Sequence, residues 1–277
     1  MIETSTTIPI RTEDFLYLTD YIRRESGIVL DEEKIYLIES RLAPVLRAAR
    51  ISSFYELCAI LRSTANKLLH RQVIEAMTTH ETLFFRDTSL FEALRSSVLP
   101  LLIERKKSLR KLSFWSAAAS SGQEAYSIAM TLLEMGLQDW KIDILGTDIS
   151  EKILNKARSA SYLQIEVNRG LPANYLVKYF ERQGFEWKIR EEVRDMVTFE
   201  SFDLRDSMLT KGPFDVIFCR NVLIYFDTET KKKVLGELRG ALFSGGYLCL
   251  GGAETTLNLD NSYRRTVFGR SIFYQAP

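Results

Sequence analysis

Five polar residues stand where the sequence pattern ends a buried run or joins two of them: Arg86, Asp148, Arg220, Asn221 and Tyr225. Asp148 closes the run that begins at Ile142 and passes through Gly146-Thr147. An acid at the end of the second strand of an open parallel sheet can accept both ribose hydroxyls of an adenosine ligand; it can equally cap the helix that follows. Upstream, Ser116-Ala117-Ala118-Ala119-Ser120-Ser121-Gly122 leaves the first strand with side chains small enough for the backbone to approach a ligand. Read alone, that loop is a tight strand-to-helix turn. Loop and acid read together favour a bound adenosine. The chain has no Gly-x-Gly-x-x-Gly here, which argues against a pyrophosphate cofactor, and no Lys-Ser/Thr, which excludes a P-loop. Arg220 and Asn221 follow the β-branched and aromatic run Phe214–Phe218, which puts them at the same rim. Tyr225 reads either as a further member of that rim or as a half-buried core tyrosine. In Thr78–Arg86, Phe84 and Phe85 read as packing anchors, and Arg86 as a cation able to hold a carboxylate by paired hydrogen bonds.

The elements that must carry these residues fall into two textures. Residues 12–76 read as helix throughout. Between Lys34 and Arg50, Ile35, Ile38, Leu42, Val45, Leu46 and Ala49 share one helical face, and Pro44 within it predicts a kink or two short helices. Gly27 marks a turn before Ile28-Val29-Leu30. Residues 77–108 read as a linker and connecting helix, and residues 109–277 as an α/β domain. In it strands at Leu112–Ala118, Ile142–Leu145, Val197–Phe199, Phe214–Phe218, Tyr247–Leu250 and Ser271–Tyr274 alternate with helices at Ala125–Glu134, Glu151–Arg158 and Thr228–Leu242. Gly245-Gly246 reads as a turn. Such alternation implies a parallel sheet with helices on both faces. Residues 160–195 interrupt it, and Gln183-Gly184 before Phe185–Ile189 points to a small inserted β element.

Composition adds limits rather than a function. The 277 residues, 46% hydrophobic and 26% charged, suit one large domain or a large and a small one. No apolar run reaches the length of a membrane span, and the first residues carry no secretory pattern. The three cysteines, Cys58, Cys219 and Cys249, form neither a metal spacing nor a disulfide framework, and two histidines are too few for a histidine-rich metal site. A cytoplasmic location and no metal are expected. The net charge of +1 predicts no nucleic-acid or membrane partner. It is unevenly spread: residues 1–40 hold four basic and nine acidic side chains, residues 41–71 six basic and one acidic. A basic stretch of that kind is a solvated helix face or a docking surface for an acidic partner.

Four segments in this order, TTHETLFFR at 78–86, WSAAASSGQEAYSIAM at 115–130, GTDIS at 146–150 and GPFDVIFCRNVLIYF at 212–226, resemble the chemoreceptor glutamate methyltransferases, the CheR family. The similarity runs from Phe15 to the end of the chain. It implies a Rossmann-like S-adenosylmethionine-dependent methyltransferase domain with a small inserted β subdomain, preceded by an all-helical domain that helps dock the receptor. By the same resemblance His80, Thr82, Arg86, Glu124, Asp148, Asp203, Leu204, Arg220 and Asn221 fall on cofactor-binding positions. Glu124 meets the methionine moiety, Asp148 the ribose, and Asp203 with Leu204 the adenine. Arg86 and Tyr225 fall on the positions that handle the acceptor and the transferring methyl. The implied activity is esterification of glutamate side chains on the cytoplasmic helical bundle of a chemoreceptor, with Lys34, Arg41, Arg47 and Arg50 as candidates for steering onto it. The sequence departs from the pattern at His80, where Asn is usual, at Gln123 for Glu, at Ala125 for Pro and at Asp203 for Asn. The short insertion is similar to that of members that do not tether a receptor pentapeptide. The competing expectations are a receptor-binding adaptor without catalysis, a methyltransferase acting on RNA or a small molecule, and an NAD-dependent dehydrogenase. The retained polar residues disfavour the first, the neutral charge disfavours RNA, and the missing glycine fingerprint disfavours the last.

Overall fold

A computed structural model describes residues 9–63, 65–137 and 139–277. The chain forms two compact units, Met1–Thr79 with Tyr225–Asp227, and His80–Ile224 with Thr228–Pro277.

The first unit is helical: α1 (Thr12–Ser26), α2 (Ile35–Ala49), α3 (Phe54–Leu61) and α4 (Lys67–Met77). Their apolar faces close on Phe15, Leu18, Ile22, Ile38, Leu42, Leu46, Leu57 and Val73, all buried. Gly27 ends α1 in the left-handed region at φ 76°. Ser53 caps α3 and Asn66 caps α4, each accepting from a backbone N–H three residues on. The division into two short helices at Pro44 is not seen, because α2 runs unbroken through it. Pro44 lies on the exposed face, as does Ser40. The Ser40 carbonyl that loses its amide partner is therefore open to water, and the helix survives the missing bond.

In the second unit, a helical stretch made of α5 (Thr88–Ala93), a π turn at Leu94–Val98 and α6 (Leu99–Lys106) leads into the sheet. The strands are β1 (Lys111–Ala117), β2 (Lys141–Asp148), β3 (Ser161–Leu163), β4 (Phe180–Gln183), β5 (Glu186–Ile189), β6 (Val197–Ser201), β7 (Phe214–Cys219), β8 (Leu242–Leu250), β9 (Arg264–Phe268) and β10 (Ser271–Gln275). The helices between them are α7 (Gln123–Glu134), α8 (Glu151–Ser159), α9 (Gln164–Val167), α10 (Ala173–Tyr179), α11 (Glu191–Arg194) and α12 (Thr228–Gly240). Seven strands form the main sheet in the order β6-β2-β1-β7-β8-β10-β9. The first five are parallel, and β10 enters antiparallel to β8. From β1 the chain builds outward to β2 and β6, then crosses back to β7 on the other side of β1. The strand order therefore reverses between β1 and β7, the place where an open sheet leaves a crevice for a ligand.

Trp115, Phe114, Val216 and Phe218 fill the buried sheet interior, and Ile128, Ala129 and Leu132 of α7 pack on it. The insertion is a three-stranded antiparallel sheet, β3-β5-β4. Its β4–β5 hairpin turns on two residues, Gly184 at φ 62° and Phe185, which is 93% exposed. Two features differ from the sequence reading. Strand β8 begins at Leu242 and absorbs Gly245-Gly246 as an irregularity in its pairing with β7 instead of starting after them. A Cβ on Gly246 would sit 2.9 Å from the Phe243 carbonyl oxygen, so the close backbone path, not a free turn, requires glycine there. Strand β9 has no counterpart among the expected strands.

Candidate functional site

The site is built on the carboxyl ends of β1, β2, β6 and β7. After β1 the chain reverses through Ala118 at φ 66°, Ser120 at φ 52° and Gly122 at φ 93° before α7 begins. Left-handed residues this dense turn backbone N–H groups inward. One of them, Ser120 N–H, donates to Asp148 Oδ2 at 2.9 Å, and Ser150 N–H donates to Oδ1 at 3.0 Å. Asp148 is thus oriented by backbone at both oxygens. Burial pushes its carboxyl above the usual range, while the backbone hydrogen bonds and the nearby His80 pull the other way. Its helix-capping alternative fails, since the cap of α8 is Ser150.

A charge network centred on buried Arg220 lies at the switch point. The Arg220 Nη1 donates to Glu124 Oε2 at 2.7 Å, and Nη2 donates to the Arg86 carbonyl at 3.0 Å and to the Asp87 carboxylate. Ser116 Oγ donates to the other Glu124 oxygen at 2.8 Å. Desolvation alone would weaken the hold of Arg220 on its proton, but Glu124 and Asp87 outweigh it, so the guanidinium is held charged more firmly than usual. Arg220 thereby fastens the connector that carries Arg86. That connector holds two residues in the left-handed region, Phe85 at φ 49° and Asp87 at φ 64°. Such a conformation in a bulky residue is costly and persists only where packing over-determines it. Phe85 N–H donates to Ser127 Oγ at 3.0 Å, and its ring packs edge-on against Phe91 and Tyr175. The Arg86 guanidinium, half-buried, donates to the Glu81 carbonyl at 3.2 Å.

Asn221 follows β7 at φ 58°. Its side-chain Oδ1 is buried with no hydrogen-bond partner among the described residues. An unfilled buried acceptor is costly unless a ligand donor meets it. The backbone around it is held by Glu254: Gly251, Asn221, Val222 and Ile224 all donate their N–H to its carboxylate.

His80 and Thr82 line a cavity of about 230 Å³ together with Ser121, Gln123, Glu166 and Arg169. The His80 carbonyl accepts from Ser120 Oγ at 2.9 Å, which ties this part of the connector to the β1 loop. Asp203 lies just past β6, where Phe202 N–H donates to the Asp148 carbonyl; its carboxylate is paired with Arg205 at 2.6 Å. Leu204 is buried beside it. The second unit therefore brings Glu124, Asp148, Arg220, Asn221, Asp203 and Leu204 to one rim. Glu124 has one oxygen engaged by Ser116 and the other by Arg220. Tyr225 belongs to the helical unit: it packs against that core, and its carbonyl accepts from Val29 N–H at 2.9 Å. Among the basic residues, Arg41 is occupied within the helical unit, donating to the Met77 carbonyl and Thr79 Oγ1, and Lys34 pairs with Asp31 at 2.9 Å. Arg47 and Arg50 are exposed. Sequence reading missed Asp87 and Glu254. The acid directly after Arg86 was a signal for the first; Glu254 contacts backbone, which leaves no side-chain motif.

Two family models match the chain: the CheR methyltransferase all-alpha domain over residues 13–78, and the CheR methyltransferase SAM binding domain over residues 80–271. Chemotaxis protein methyltransferase Cher2 of Pseudomonas putida is 39% identical over 95% of this chain and 98% of its own length. The chemotaxis protein methyltransferase of Vibrio parahaemolyticus is 38% identical over 98% of this chain and 99% of its own.

Proposed function

The chain belongs to the CheR methyltransferase family, and from that premise we propose that it transfers a methyl group from S-adenosylmethionine to glutamate carboxylates on the cytoplasmic helical bundle of a bacterial chemoreceptor. The observation that carries this reading is Asp148, a buried acid held at both oxygens by backbone N–H at the rim of the sheet. The residues fit the cofactor. Asp148 suits two ribose hydroxyls, the unfilled Asn221 Oδ1 suits an ammonium or amide donor, and Arg86 suits a carboxylate. Leu204 offers the adenine an apolar face, and Asp203, whose carboxylate is held by Arg205, flanks it. His80 and Thr82 close the cofactor from the connector. Glu124 acts through Arg220, keeping it charged and in place.

The cofactor supplies a methyl group on a sulfonium, activated before it binds. A glutamate acceptor, with an ordinary pKa of roughly 4.3, is already ionised near neutral pH. No general base is needed, and the work left to the protein is alignment, which can contribute several kcal/mol. Arg86 orients the acceptor carboxylate, and Tyr225 carries the role that its position in the family pattern implies. Too strong an ion pair to the attacking oxygen would stabilise the ground state, so Arg86 serves best on the other oxygen or on the cofactor. Arg47 and Arg50 steer an acidic helical bundle onto the helical unit, and the two-residue β4–β5 hairpin supports docking without a pentapeptide tether. In this reading the chain meets its receptor from the cytoplasm. Among the described residues no helix is long and apolar enough to cross a membrane.

Titration calorimetry with S-adenosylhomocysteine tests the cofactor site. One-to-one binding is expected, weakened about 100-fold by Asp148→Ala, since two charge-assisted hydrogen bonds are worth roughly 3 kcal/mol together. Labelled S-adenosylmethionine should then give base-labile methyl groups on receptor cytoplasmic fragments. Binding unaffected by Asp148→Ala, or label that survives base, overturns the reading.

A further inference from the structure

Glu254 stands just past the end of β8, outside every motif that carried the family resemblance. Its carboxylate oxygens have about four lone-pair directions between them. All four are met by backbone N–H groups. Oε2 accepts from Gly251 at 2.7 Å and Asn221 at 2.8 Å; Oε1 accepts from Val222 at 3.0 Å and Ile224 at 3.3 Å. One half-buried carboxylate thus joins two segments, the loop after β7 and the turn after β8 in which Glu254 N–H donates to the Gly251 carbonyl. With its acceptor capacity filled, Glu254 has none left for substrate or cofactor.

The segment it holds is functional in position. Asn221 sits at φ 58° at the switch point, with Oδ1 buried and unfilled among the described residues. Asparagine is one of the few non-glycine residues that visit the left-handed region, and here backbone contacts hold it there. The Glu254 bonds to the N–H of Asn221 and of Val222 pin both peptide planes beside it. Gly251 completes the arrangement. A Cβ there would lie 2.7 Å from Asn221 Nδ2, 2.8 Å from Glu254 Oε2 and 2.9 Å from Asn221 N, so the clamp exists because position 251 has no side chain.

We propose that Glu254 is a positioning residue for methyl transfer: its carboxylate is a backbone clamp that presents Asn221 to the bound cofactor. This rests on the methyltransferase reading above. Glutamine at 254 has the same shape but accepts only through one oxygen, so two of the four N–H groups would face an NH2 group instead. Displacement of a positioned group by about 1 Å can cost on the order of 100-fold in rate.

The test compares wild type, Glu254→Gln and Gly251→Ala, in the full-length protein, by three readouts: S-adenosylhomocysteine affinity, kcat and KM on a receptor fragment, and amide hydrogen exchange. Both variants should lose about 30- to 100-fold in kcat while KM for the receptor fragment stays within about threefold. Exchange at Asn221 and Val222 should quicken roughly tenfold or more, with the amides of β1 and β2 unchanged. A merely structural role would lower the unfolding temperature without dividing kcat from KM in this way. Both variants within twofold of wild type in kcat overturn the proposal, as does unchanged exchange at Asn221 and Val222. Should wild type itself neither bind S-adenosylhomocysteine nor transfer methyl, the methyltransferase reading falls and the positioning role falls with it. Wild type active with Glu254→Gln equally active sinks the clamp alone.

Discussion

At the scale of single residues, Asp148 ties fold, electrostatics and binding together. Burial raises its proton affinity above that of an ordinary carboxyl. A raised native pKa favours the folded protein at pH below the ordinary carboxylate range, and that contribution is lost as pH rises through the native value. Above it, the native state carries a desolvated carboxylate that a ligand with two hydroxyl donors relieves. Binding of S-adenosylhomocysteine therefore favours ionised Asp148 and releases a proton where the acid is still partly protonated. Affinity should weaken as pH falls through the raised native pKa, approaching about tenfold per pH unit below it. Calorimetry in two buffers of different ionisation enthalpy reads the released proton directly. In Asp148→Asn, neutral at every pH, affinity should be low and this dependence flat. If the variant keeps the wild-type slope, the titrating group is another one.

At the scale of elements, the turn from β1 into α7 has the least room for change. Gly122 sits at φ 93°, and a Cβ there would meet Ala157 Cβ at 3.0 Å and the rings of Phe199 and Tyr126 at 3.1 Å. Conformational strain and overpacking together should make Gly122→Ala cost about 2 kcal/mol, lowering the unfolding temperature by roughly 4–8 °C and weakening S-adenosylhomocysteine binding; thermal unfolding followed by circular dichroism checks it. This turn was legible in the sequence because a run of small residues directly after an apolar strand marks a backbone that must reverse in little space. The parallel strands were legible from their unbroken apolar character, since runs such as Phe214–Cys219 are buried on both faces. What escaped notice had weak patterns. Strand β9 is largely exposed, with Arg264 and Arg265 at its start, so no alternation of apolar and polar residues betrays it. Pro44 does not divide α2, since the carbonyl it leaves unpaired is on the solvent face, where water can take the place of the missing bond. Glu254 escaped because its partners are peptide groups, whose positions follow from tertiary structure alone. Phe85 gave no sign of left-handed backbone, for packing rather than residue type holds it there.

At the scale of the whole molecule, charge is segregated along the sequence more than its net value of +1 suggests. The described residues of the acidic first forty and of the basic stretch that follows belong to the helical unit. Within that stretch Arg41 has internal partners, which leaves exposed Arg47 and Arg50, at the end of α2, as the better candidates for meeting an acidic bundle. Cations at a helix C-terminus also sit well with its dipole, so their presence does not by itself require a partner. Salt separates docking from dipole compensation. Raising it from 0.1 M to 1 M shortens the screening length from about 10 Å to about 3 Å. If these arginines steer docking, KM for a receptor fragment should climb with salt, while S-adenosylhomocysteine affinity, set by buried groups, should hardly move. Reversing both charges, Arg47→Glu with Arg50→Glu, should raise the receptor KM by roughly 5- to 30-fold, about 1–2 kcal/mol for two exposed pairs turned repulsive, and should flatten its salt dependence. Cofactor affinity should stay at the wild-type value. A receptor KM indifferent both to salt and to the double reversal would return Arg47 and Arg50 to the role of a solvated helix end, and docking would then have to come from other surfaces of the chain.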